Sequence, residues 1–127
     1  MSTPKKQLLS VIELGGYPNF TPLYESLGFE VTTANSVRNA IRTIKKIKPD
    51  VVVAEFNFQS DFRDRTSSLE SLLSTIQWQE HCDVIVFYEK EYAHQFKKLQ
   101  QQYNLSAELA FPIDEQELKS VISQLQD

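Results

Sequence analysis

Apolar residues fall into two alternating kinds of run along the chain: short aliphatic blocks, and longer stretches in which they recur every three or four positions. The block Asp50 to Phe56 (DVVVAEF) is nearly continuous in Val and Ala, follows Lys48-Pro49, and carries one carboxylate, Glu55, at its far end. Such a run reads as a central strand covered on both faces, β3. Gln7 to Leu14 (QLLSVIEL), closed by Gly15-Gly16, reads as β1. Phe29 to Ala34 (FEVTTA), alternating at first and rich in β-branched residues, reads as β2. Asp83 to Tyr88 (DVIVFY) and Ala107 to Phe111 (AELAF) read as β4 and β5.

Helical spacing separates these blocks. Pro18 and Pro22 suit the start of a short α1 that ends by Leu27, with Gly28 as its C′ residue. Ser36 caps α2, whose apolar stripe is Val37, Ala40, Ile41, Ile44 and Ile47. Lys45, Lys46 and Lys48 crowd its last turn, where cations meet the negative end of the helix dipole, and Pro49 stops it. Ser67-Ser68-Leu69-Glu70 has capping-box spacing and opens α3, striped by Leu69, Leu72, Leu73 and Ile76, with Trp78 off the stripe. Tyr92, Phe96, Leu99 and Tyr103 mark the buried face of α4. Asp114 caps α5, followed by Leu118, Val121, Ile122 and Leu125 at helical spacing.

Five strands alternating with five helices require crossover connections, hence a parallel sheet with helices on both faces. The expected fold is therefore α/β, a flavodoxin-like doubly wound (βα)5 sandwich with strand order 2-1-3-4-5. The 127 residues form one domain, 1-127, with 1-6 as a disordered tail. A net charge of -4 gives no global field favouring nucleic acid or an acidic membrane, and no run reaches membrane-spanning length. Cys82 is the only cysteine, so there is no disulfide framework, and a reducing cytoplasm is the simplest location.

Few residues offer independent chemistry. His81 and His94 lack partners at ligand spacing, so no metal site is expected, and no cofactor motif is present. Cys82 and Ser10 read as core positions rather than nucleophiles, and Gly15-Gly16 as a turn rather than a phosphate loop. No nucleophile-base pair can be assembled, so an enzyme is not expected.

Two stretches in combination change this picture. Lys48-Pro49-Asp50-Val51-Val52-Val53-Ala54-Glu55, and Phe111-Pro112-Ile113-Asp114-Glu115-Gln116-Glu117-Leu118, lie in the order and spacing of known landmarks. From about Lys6 to Leu125 the chain resembles the receiver domain of bacterial two-component response regulators, the CheY-like domains, in a degenerate form. The resemblance implies a phosphorylation site at the carboxyl ends of β1, β3, β4 and β5, and all four key positions depart from its pattern. The acidic pair after β1 is reduced to Glu13, and the phosphoacceptor aspartate is Glu55. The switch threonine or serine is Tyr88, and the lysine before the proline of β5 is Phe111.

Glu13 and Glu55 alone would make a weak magnesium site, and losing the lysine removes a cation that phosphoryl transfer uses. Glu55 reads as a strand-end carboxylate bonded to Tyr88 or to backbone N–H groups; the alternative is a mimic of phosphorylated aspartate. The expected function is a stand-alone, phosphorylation-independent interaction module in phosphorelay-type signalling. It would act through a kinase, effector or other signalling protein, or as a homodimer through the α4-β5-α5 face that the resemblance implies. Candidate contacts there are Tyr92, Phe96, Lys97 and Tyr103; a second set, Phe58, Phe62, Arg63 and Arg65, lies in the β3-α3 loop. The competing expectations are a small-ligand sensor using the crevice by Glu13, Gly15, Gly16 and Glu55, or a receiver that retains weak divalent-cation binding.

Overall fold

Each aliphatic block forms a strand: β1 Lys6–Val11, β2 Phe29–Ala34, β3 Val51–Glu55, β4 Asp83–Tyr88 and β5 Ala107–Ala110. They make one parallel sheet in the order β2-β1-β3-β4-β5, as the pattern predicts. The computed structural model describes residues 6–11, 20–55, 69–77, 82–111 and 113–126. Expectations for Glu13, the Gly15-Gly16 turn, Pro18, the Asn57 to Thr66 loop, the Ser67-Ser68 cap, Trp78, His81 and Pro112 lie outside the described residues. So does the expected tail, except Lys6, which begins β1.

The helices are α1 Thr21–Ser26, α2 Val37–Ile47, α3 Leu69–Ile76, α4 Ala93–Gln102 and α5 Glu115–Gln126. Their ends follow local chemistry. Gly28 at φ 95° closes α1, a left-handed conformation that glycine adopts without a Cβ penalty. The Ser36 hydroxyl accepts from the Asn39 N–H at 3.1 Å, and the Asp114 carboxylate accepts from the Gln116 N–H at 2.9 Å. The stretch expected to start α4 is instead a 3₁₀ turn, Lys90–Tyr92, and the α-helix begins after it.

The two-residue period of the strands sorts the core into two halves. Leu8, Val51, Val53, Ile85, Phe87 and Leu109 face Leu23 and Tyr24 of α1 and Leu118 and Ile122 of α5. Leu9, Val11, Val52, Ala54, Val84 and Val86 face α2, α3 and α4, where they meet Ala40, Ile44, Leu72, Ile76 and Phe96. β3 is therefore buried on both sides, which is why its sequence shows no polar alternation. Ser10 is buried among these strands, as expected.

At the amino ends of the strands, polar groups fix the register. The Asp50 carboxylate accepts from the Gln7 N–H at 2.8 Å, while the Asp50 N–H donates to the Gln7 carbonyl at 2.8 Å. Asp50→Ala leaves the Gln7 N–H without this acceptor and lowers stability by about 1–3 kcal/mol in urea denaturation. Nearby, Ser106 Oγ accepts from the Val84 N–H and donates to Asp83.

Cys82, half-buried before β4, has its thiol pKa pushed up to about 12 by burial and by the charges of Asp83 and Asp50. At pH 8 the folded protein therefore reacts with a disulfide reagent far more slowly than the urea-unfolded chain. Because the folded pKa is the higher one, unfolding releases a proton above pH 9, and this group's contribution to stability falls from there towards pH 12. Equal thiol reaction rates in the folded and unfolded states would contradict this burial.

Candidate functional site at the carboxyl ends of the strands

In a doubly wound sheet the crevice that binds ligands opens beyond the carboxyl ends of the strands, near the switch point between β1 and β3. Glu55, Tyr88 and Phe111 come together there. Glu55 is the last residue of β3, Tyr88 is the last of β4, and Phe111 follows β5 directly. The Phe111 N–H donates to the Tyr88 carbonyl at 2.8 Å, which ties the ends of β4 and β5 together.

Alternation then sends the side chains to different faces. Glu55 follows the phase of Val51 and Val53, and its register partner on β4 is Phe87. Phe87 lies edge-on to Phe111, with ring centroids 5.9 Å apart at 75°, and edge-on to Phe20 at 6.1 Å and 78°. These three rings, with Ile113, pack against the α1/α5 half of the core at this end of the sheet. Both carboxylate oxygens of Glu55 are shielded from solvent. Tyr88 takes the opposite phase and stacks on Phe96 of α4, with centroids 4.6 Å apart at 27°. Of the two expected partners of Glu55, Tyr88 therefore points to the far face, because adjacent strand residues point to opposite sides, and the backbone of the adjoining loops after β1 and β3 lies outside the described residues.

One candidate partner residue needs correcting. Phe96 is only 1% exposed and belongs to the core, because its position on α4 points straight at β4. Lys97 is exposed, while Tyr92 and Tyr103 are half-buried against the same core half. Phe58, Phe62, Arg63, Arg65, Glu13, Gly15 and Gly16 lie outside the described residues. His94 is exposed. Sequence reasoning passed over Phe20 and Phe87 as site residues. The signal for Phe87 was available, since it shares the face of Glu55 while its neighbour Tyr88 does not.

A receiver-type site would hold a divalent cation on a cluster of carboxylates. Among the described residues no group of three His, Cys, Asp or Glu side chains is placed to hold a metal ion. Glu13, the other carboxylate of the expected pair, lies outside the described residues.

By sequence, the chain matches no family profile and no curated protein. By structure, it is similar to a response regulator receiver domain protein from Clostridium thermocellum (TM-score 0.76, 19% identity, covering 94% of this chain and 93% of that one). It is also similar to a CheY-like receiver domain from Methylobacillus flagellatus (0.75, 17%, covering 96% and 99%). A third is the receiver domain of a sensor histidine kinase from Pseudomonas aeruginosa, which has magnesium coordinated in its active-site cleft (0.73, 17%, covering 98% and 100%). The topology, the two-sided core and these likenesses establish that the chain has the fold of CheY-like response-regulator receiver domains.

Proposed function

We propose that the protein is a receiver-fold interaction module of phosphorelay-type signalling whose phosphotransfer site is closed, and that it acts through protein partners in the cytoplasm without being phosphorylated. The observation that carries this reading is the Phe20–Phe87–Phe111 ring set beside Glu55. Phosphoryl transfer relies on fixed positive charge to stabilise the spreading negative charge of the transition state. Phe111 supplies none. Glu55 also carries its carboxylate one methylene further out than aspartate would, into the space an incoming phosphoryl group needs. Among the described residues no helix is long and apolar enough to cross a membrane.

With Phe96 in the core, the proposed partner surface on the α4-β5-α5 face rests on Lys97 and on the exposed parts of Tyr92 and Tyr103. A homodimer through this face belongs to the same proposal. The ligand-sensor alternative needs an open polar crevice, and the shielded oxygens of Glu55 do not favour it.

The test uses beryllofluoride with magnesium, a mimic of a phosphorylated carboxylate. Amide spectra recorded with and without it superimpose if the reading holds. Saturable shifts at Glu55, Phe87 and Phe111 would overturn it.

A further inference from the structure

Between Glu30 and Asp50 the chain carries Arg38, Arg42, Lys45, Lys46 and Lys48 and no acidic residue, although the protein as a whole is net negative. All five cations are exposed on or just after α2. The helix dipole accounts for lysines in the last turn. It does not account for Arg38, which sits in the first turn, where a cation faces the positive helix end.

Arg38, Arg42 and Lys46 also stand four residues apart in succession, so each repels the next along one stripe. This arrangement costs helix stability. Beside the stripe runs an open groove of about 730 Å³, lined by Thr33 and Ala34 of β2 and by Asn39, Arg42, Thr43 and Lys46 of α2. Among the described residues β2 forms the end of the sheet and pairs only with β1.

From these observations we infer that the groove between β2 and α2 is a docking surface for an acidic, extended peptide segment of a partner protein. The spacing fits such a segment. Residues four apart on a helix are separated by about 6 Å along its axis, and alternate residues of an extended chain by about 6.6 Å. Acidic side chains at alternate positions therefore meet successive cations of the stripe. The peptide backbone lies beside a strand edge able to offer main-chain hydrogen bonds. A short acidic peptide can keep its charges on the stripe, whereas a long, uniformly charged nucleic-acid backbone runs past it and meets a protein of net charge -4. The groove shares no lining residue with the described strand-end site of Glu55, Phe87, Tyr88 and Phe111, and the inference stands whether or not that site takes phosphate.

A short fluorescein-labelled peptide of alternating glutamate and valine tests it by anisotropy and amide-shift mapping. The expected result is saturable binding that weakens with added salt, with shifts at Thr33, Ala34 and Asn39 to Lys46. R42E/K46E then lowers affinity by roughly tenfold or more, and the gentler R42Q/K46Q weakens it in the same direction. K98E/K119E, a matched charge change on two exposed lysines of α4 and α5, leaves binding unchanged. Shifts located elsewhere, binding indifferent to the α2 variants, no saturable binding, or tighter binding of a single-stranded oligonucleotide at the same groove would each overturn the inference.

Discussion

Phe96→Ala is expected to destabilise the protein by about 3–5 kcal/mol, the cost of removing a large buried aromatic side chain and leaving a cavity. Phe96 is 1% exposed, packs against β4 from α4 and stacks on Tyr88, so truncation removes core packing and a ring contact together. Lys97→Ala, one residue on and exposed, changes stability by no more than about 0.5 kcal/mol. Urea midpoints for the two variants decide whether residue 96 is core or surface. Similar midpoints would return Phe96 to the partner face.

Phe87→Ala carries a cost of the same order, about 3–5 kcal/mol, and its further consequence falls on the candidate site. Phe87 is 6% exposed and meets Phe20 and Phe111 edge-on, and such ring pairs add about 0.5–1.5 kcal/mol each beyond the area they bury. A double-mutant cycle between Phe87 and Phe111 should show coupling in that range, with a smaller value between Phe87 and Phe96, which lie on opposite faces of β4. Equal coupling for both pairs would mean that the rings do not form a closure specific to the α1/α5 side.

Much of the architecture was legible in the sequence because it rests on period and punctuation. The valine run of β3 had no polar face and could only be doubly covered. Ser36, Gly28 and Asp114 marked helix ends through local hydrogen bonds and backbone preference that need no tertiary context. Boundaries were less legible: β5 stops at Ala110, one residue before its expected end, and α4 begins after a 3₁₀ turn.

At the site, the identities of the altered positions were readable, but their geometry was not. Whether Tyr88 reaches Glu55 or Phe96 depends on strand phase, which shifts by a whole face with one residue of register. The same holds for Phe96, where helical spacing predicts a buried face but does not say which neighbouring ring fills it. The lysines in the last turn of α2 were visible as charge and accounted for by the helix dipole, and the stripe of Arg38, Arg42 and Lys46 gained a bearing on a groove only when α2 was set beside β2.

The central claim is that the strand-end site no longer transfers phosphate. Its most direct test is the intact mass of the protein after incubation with magnesium and acetyl phosphate at saturating concentration. The account predicts an unchanged mass for the natural sequence and for the single variant E55D, because restoring aspartate alone supplies neither a lysine nor room beside the rings. A stoichiometric gain of one phosphoryl group on the natural protein, lost in E55Q, would contradict it.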